Sequence, residues 1–272
     1  MSRKKTTDSW TKEINNFSSL PEKLQLEVNK ILKMQDNNHP LTVNVPKNEK
    51  FESSESLLII FDELIYVLEN QEGYIETYKI NYSDINFIEL NIVLLNSYIT
   101  LNDGNISKKI YFNTSSEGFF HQLIGKIRSC KISISQNDSS FENIDYLQEI
   151  DIKLYNYSRY ALKYHEEIID TVYQNRHDES EFGSSITILT DNELVFIKEP
   201  NKEKQPMDSL YGGHWVYVSL DQIIDVSIEN IKNESMFSLI LHFKDDHQYA
   251  IDYDLMAKSS FKDFDKKILA II

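Results

Sequence analysis

The chain has 272 residues, room for one large domain or two of about 130, because single cores stop growing near ~250–300 residues. Hydrophobic residues make up 41%, enough to fill such cores, and 7 glycines and 5 prolines exclude a collagenous or linker-like chain. A net charge of −15 repels nucleic-acid phosphates and anionic lipid headgroups, so nucleic acid is not an expected partner; general solubility accounts for most of the charge, and a basic protein partner is the sharper alternative.

Cys130 is the single cysteine, so an intramolecular disulfide cannot form and a reducing compartment is expected. Met1-Ser2-Arg3-Lys4-Lys5 opens like a signal peptide, but no apolar segment follows it. No apolar run approaches the ~20 residues of a membrane span, and the expected location is cytoplasmic.

Residues 1–17 read as a flexible N-terminus. Ser19-Leu20-Pro21-Glu22 then has the form of a helix start, with Ser19 as N-cap and Pro21 near the first helical position, followed by the apolar stripe Leu24, Val28, Ile31 and Leu32. Leu41, Val43 and Val45 alternate as a strand, and the runs Leu57–Ile60 and Glu63–Val67 flank a polar break at Asp62, a hairpin signal. Tyr78, Ile80, Tyr82 and then Ile85, Ile88, Leu90 mark two more strands. Ile99 and Leu101 lead into Asn102-Asp103-Gly104, from which Ile110 and Phe112 return. The period then changes from 2 to 3.6, and Phe119, Phe120, Leu123, Ile124 and Ile127 form one helical face. Ile144, Leu147, Ile150, Ile152, Leu154, Tyr155 and Tyr160 read as one longer helix within a linker over 131–166.

From there the pattern starts again. Ile168, Ile169, Val172 and Tyr173 supply a strand; Ile186–Leu189 and Glu193–Ile197 repeat the hairpin 130 residues after its first occurrence. Val216, Val218, Leu220 and Ile223, Val226, Ile228 repeat the next two strands at an offset of 138, which places an insertion within Pro200–Gly213. Leu239, Leu241 and Phe243 lead into Asp245-Asp246, Tyr249, Ile251 and Tyr253 return, and Phe261, Phe264, Ile268 and Ile271 form a closing helix. An ordered series of such matches implies a duplication, with copies at 18–130 and 167–272.

Each copy resembles a pleckstrin-homology-like domain of the bacterial PH and GRAM type. The likeness rests on the hairpins Leu58–Val67 and Ile188–Ile197, the steps Tyr82-Ser83-Asp84-Ile85 and Leu220-Asp221-Gln222-Ile223, and the helices from Phe119 and Phe261. It implies a mainly β, α+β chain of two tandem seven-stranded barrels, each with a preceding helix and a C-terminal capping helix whose Phe119, Phe120 and Phe261 plug the core. A plain α+β sheet with helices on one face is the alternative. Phosphoinositide binding in such domains uses a basic loop after the first strand. Here Pro46–Ser56 sets Lys47 and Lys50 against Glu49, Glu52 and Glu55, and Gln174–Ser184 sets Arg176 and His177 against Asp178, Glu179 and Glu181, so neither is net basic.

The remaining site candidates are Trp215 and His214 beside Gly212-Gly213, with Lys202 and Lys204 in the insertion; Lys108 and Lys109 form another basic pair. Trp215, read as the first residue of a strand, belongs to core or rim before it serves as a ligand platform. His165-Glu166-Glu167 lacks the second histidine of a zinc helix, and Gly212-Gly213 alone is no phosphate cradle. Cys130 lies beside Arg128 and Lys131 without an evident histidine partner. No cofactor or metal is expected. The reading is a non-catalytic binding or scaffold protein that contacts a protein partner through the exposed edge of the Ile85–Leu90 region in either copy, or through a cleft between the barrels. Peripheral membrane contact through Arg3–Lys5 and Trp10 is a less favoured alternative, and an enzyme using the acidic loop around His177 is another.

Overall fold

The computed structural model describes residues 11–35, 40–49, 52–93, 97–131, 142–162, 167–175, 183–199, 212–231 and 236–272. The described strands form sheets of five, seven and three strands, and no sheet closes into a barrel among the described residues. One order of elements occurs twice: four strands, a 3₁₀ turn, three strands, a second 3₁₀ turn and a helix. The chain divides into two compact units, unit 1 with residues 1–84, 94–100 and 108–131 and unit 2 with residues 85–93, 101–107 and 132–272. No described helix is long and apolar enough to cross a membrane.

Unit 1 contains β1 (Lys12–Glu13), α1 (Glu22–Met34), β2 (Leu41–Val45), β3 (Glu55–Ile60), β4 (Leu64–Asn70) and β5 (Ile75–Asn81), with the strands in the order β1-β2-β3-β4-β5. Helix α1 lays Leu24, Val28 and Ile31 on Leu57, Ile59, Tyr66 and Leu68 of the sheet. Its N-cap lies two residues later than expected. Pro21 is the N-cap and makes no side-chain cap. Ser19 ends a 3₁₀ turn instead, its hydroxyl donating to Asn16 O at 2.7 Å, while Asn16 caps that turn. The competing local bond, not helix propensity, decides where Ser19 goes.

After β5 a 3₁₀ corner at Tyr82–Asp84 turns the chain, and the buried Tyr82 hydroxyl holds the corner by donating to Phe61 O at 3.1 Å. Strand β6 (Phe87–Val93) follows and belongs to unit 2. The division between the units runs through the next two strands, β7 (Ser97–Asn102) and β8 (Ser107–Phe112). Helix α2 (Glu117–Lys131) stacks Phe120 on Phe112 with centroids 3.8 Å apart and buries Leu123, Ile124 and Ile127. Phe119 is not the core plug expected: it is only half-buried, because adjacent helical residues point about 100° apart and cannot both face one core.

In unit 2 the expected single helix is three short ones, α3 (Glu142–Asp145), α4 (Leu147–Ile150) and α5 (Ile152–Ala161). Asp151 breaks the run: its backbone leaves the helical region, and its carboxylate caps the next helix by accepting from Leu154 N at 3.0 Å. Strands β9 (Ile168–Gln174), β10 (Ser185–Thr190), β11 (Glu193–Lys198) and β12 (Gly212–Ser219) follow, and within unit 2 the order is β6-β12-β11-β10-β9. All six residues of β10 are buried. A second sheet has the order β13 (Ile223–Asn230), β14 (Met236–Phe243), β15 (Gln248–Asp254), and the chain closes on α6 (Lys258–Leu269). The core combines Val216, Val218 and Phe87 with Phe237, Leu239, Leu241, Ile251 and Tyr253, and α6 seats Phe261, Phe264 and Ile268 in it. The buried Tyr253 hydroxyl shares a 2.6 Å hydrogen bond with Thr187.

Phe237 stacks on Tyr253 at 5.4 Å and meets Phe261 edge-on at 5.3 Å, so Phe237→Ala is expected to cost about 3–5 kcal/mol in chemical denaturation. A pH effect is expected from α2. Burial drives the His121 imidazole down to about 4 from 6.5. Between those values the unfolded chain takes up a proton that the folded chain refuses, so stability present above 6.5 is lost as pH falls toward 4. His121→Gln should flatten that decline by on the order of 1 kcal/mol, allowing for solvent around the ring, in urea titrations at pH 7 and pH 4.5.

Candidate functional site

The sequence candidates Trp215 and His214 both lie on β12, where it pairs with β6 over seven residues from Gly212 opposite Val93 to Val218 opposite Phe87. Trp215 is the fourth residue of its strand, not the first. Two glycines make the approach possible. Gly212 has φ +129°, and a Cβ there would stand 1.9 Å from the Ile92 carbonyl oxygen. A Cβ on Gly213 would stand 2.6 Å from the Trp215 ring and 2.9 Å from the Tyr157 ring. A glycine inside a strand where another backbone comes close is the general signature of this arrangement.

Alternation puts Trp215 and His214 on opposite faces. Trp215 is 4% exposed, its ring 4.9 Å from that of Tyr157 on α5. The Tyr157 hydroxyl donates to Gly212 O at 2.6 Å, and Lys153 crosses the same helix face to reach Glu199 at 3.1 Å. The indole Nε1 is buried without a hydrogen-bond partner. Trp215 thus sits as a wedge between helix and sheet, enclosed on the side where a ligand platform would need to be open.

On the other face the His214 Nε2 lies 2.8 Å from Glu89 Oε1, tying β12 to β6 through side chains as well as backbone. Phe196 meets the imidazole edge-on at 6.4 Å. Tyr249 lies below, 4.4 Å from Phe87; burial first, then the Glu89 charge, pushes its hydroxyl well above the usual tyrosine range. One end of the pairing is closed by a polar knot. Asn86, 2% exposed, donates to Asp245 Oδ2 at 2.7 Å and its backbone N–H donates to Asn102 O at 2.7 Å. Gly104 (φ +84°) lies so near that a Cβ there would overlap the Asp245 carboxylate. Desolvation works against the Asp245 charge, but the bonds from Asn86 and the His247 N–H outweigh it and hold the carboxyl below its usual range.

The other candidates stand apart. Lys202, Lys204 and His177 lie outside the described residues. Lys108 is 2.6 Å from Glu69 and lies over the Tyr78 ring, and Lys109 lies over the Tyr98 ring at 3.7 Å, so both cations are engaged within the chain. The exposed Cys130 thiol donates to Asp62 O at 3.1 Å. Among the described residues no three of His, Cys, Asp and Glu are grouped to hold a metal ion.

The edge expected to be exposed in both copies is paired in the first and, among the described residues, open only in the second. The Phe87–Val93 edge is occupied by β12, because Gly212-Gly213 lets that strand close on it. Its counterpart β13 pairs with β14 alone among the described residues, and it exposes Ile224 (55%), Asp225 and Glu229. Glu89 and Tyr157 were not among the candidates. An acid between the apolar Ile88 and Leu90 was a usable signal for the first; Tyr157 meets its partner 58 positions along the chain, at Trp215, and carried none. No family model matches the sequence, and comparison with curated proteins finds no match.

Gly212→Ala is expected to lower stability by roughly 1–3 kcal/mol and to speed amide exchange in β6 selectively. Asn86→Ala should cost about 1–3 kcal/mol by removing the side-chain bonds to the Asp245 carboxylate and the Asn102 side-chain oxygen while the backbone bond to Asn102 O stays, measured by thermal or chemical melting.

Proposed function

We propose that the chain is a non-catalytic cytoplasmic interaction module of two pleckstrin-homology-like copies, which docks an extended segment of a partner protein along the edge of β13. The observation that carries this reading is the β6–β12 ladder. The strand at the matching position of the first copy accepts a neighbour along its full length. An open edge offers a partner the same backbone donors and acceptors, and main-chain pairing supplies affinity while flanking side chains supply specificity. The exposed Ile224 adds apolar area at that edge.

The barrel likeness stays part of the proposal. It is supported by the repeated order of seven strands and a helix, and by the 3₁₀ corners at Tyr82–Asp84 and Leu220–Gln222. The membrane alternative rests on Arg3–Lys5 and Trp10, which lie outside the described residues; the basic pair Lys108 and Lys109 is committed to Glu69, Tyr78 and Tyr98 and offers it no second lipid contact.

A photo-crosslinking residue replacing Ile224 should give a discrete protein adduct in extracts of the source cell, whereas the same residue replacing the exposed Tyr74 should not. Equal labelling at both positions would overturn the reading. Vesicles containing phosphatidylserine should fail to carry the protein upward in low-salt flotation.

A further inference from the structure

We infer that the segment docked on β13 carries two basic side chains four residues apart, set opposite Asp225 and Glu229. This rests on the docking reading above and adds the chemistry of the partner. Ile223 and Val226 of β13 point into the unit 2 core, with Ile228 packed against it. Asp225, Ser227 and Glu229 therefore lie on the outer face. Across the ladders the outer face continues with His242, Ile240 and Ser238 on β14 and with Gln248, Ala250 and Asp252 on β15. None of these is lysine or arginine. His242 is held by Ser227 at 2.9 Å and Gln248 at 3.1 Å, and Ser238 donates to Asp252 at 2.6 Å. Lys258 donates to Asn230, whose side chain alternates to the other face.

The occupied seam supplies the register. There His214 of the incoming strand β12 stands opposite Asn91 of β6 and reaches diagonally to Glu89 at 2.8 Å, on the face that also carries the core residue Phe87. Carrying that register one repeat along, with Leu90 matching Ile228, sets the His214 position of an incoming strand opposite Glu229 and the Val218 position opposite Asp225. Directly opposed side chains in an antiparallel pair have Cβ atoms about 4.5–5.5 Å apart, close enough for opposite charges to attract and like charges to repel.

That contact also decides between two occupants. The matching strand of a second copy would be β5, which is itself an open edge among the described residues. Its Glu76 occupies the His214 position and would face Glu229, so self-pairing meets a like-charge clash. A basic extended segment meets none, and the chain's net charge of −15 draws it in.

The test uses the full chain and a synthetic ten-residue peptide with lysines four apart flanking Val-Thr-Val, titrated at low and at physiological salt with amide exchange read strand by strand. The peptide should slow exchange in β13 and bind more weakly in salt. Asp225→Lys with Glu229→Lys should weaken it about tenfold and favour the glutamate version of the peptide. If the reversed protein melts early, Asp225→Asn with Glu229→Gln should still remove most of the salt dependence. Protection of β13 by lysine and glutamate peptides alike would overturn this inference and leave edge docking standing. No protection of β13 by any peptide would overturn both. Concentration-dependent dimers of the unmodified chain protected at β13 would instead assign the edge to a second copy and overturn the basic-segment assignment.

Discussion

The antiparallel ladder between β6 and β12 is the constraint on which the rest of unit 2 depends. It exists because two consecutive residues of β12 lack side chains. Without a Cβ at Gly212 the backbone can pass the Ile92 carbonyl, and without one at Gly213 the Trp215 and Tyr157 rings can occupy the space above the strand. Once β6 is in place it brings Phe87 into the core against Phe243 and Tyr249, Glu89 against His214, and Asn86 against Asp245. Each of these contacts joins residues more than a hundred positions apart. A single backbone approach therefore organises a hydrophobic core, a half-buried histidine–carboxylate hydrogen bond and a buried polar knot.

The same geometry sorts the sheet edges. β6 is paired with β7 on one edge and β12 on the other; β13 and β5, open edges among the described residues, carry Asp225, Glu229, Glu76 and Lys79 along their length. Charges on an edge discourage indiscriminate pairing, and their sign selects what is admitted. The repeat matches make this plain, since Phe87 of the occupied strand corresponds to Asp225 of the open one and Asn91 to Glu229. At the first of these pairs the occupied strand holds an apolar group turned into a core and the open one an exposed acid; at the second a polar amide is replaced by an exposed acid. The proposed docking function draws on that contrast, and in that proposal Glu76 of a second copy would meet Glu229 and disfavour self-pairing.

Much of the strand order was legible in the sequence because alternation in a half-buried strand is a local property. The hairpins at Asp62 and Asn192, the turns at Gly104 and Asp246 with φ of +84° and +64°, and the closing helices all came from residues within a few positions of one another. The errors were also local, and each came from a competing bond or a geometric limit. Ser19 was drawn into a 3₁₀ turn capped by Asn16, Asp151 capped a new helix in the middle of an apolar run, and Phe119 lay one helical step from the face that Phe120 filled. At the candidate site Trp215 and His214 were found as residue types beside a glycine pair, but their opposite roles, wedge and hydrogen-bond partner of Glu89, were not.

The amino-acid sequence by itself determined which segments are strands and helices, that their order occurs twice, and that the surface is strongly acidic. Periodicity and charge are carried by near neighbours and need no fold to be read. Tertiary structure decided which edge is filled and which, among the described residues, is open, that Glu89 meets His214, and that Trp215 is shut beneath Tyr157. Those outcomes depend on which distant backbone comes within hydrogen-bonding reach, and Gly212 and Gly213 permit that approach without specifying the partner. The partner is chosen only when the whole chain packs.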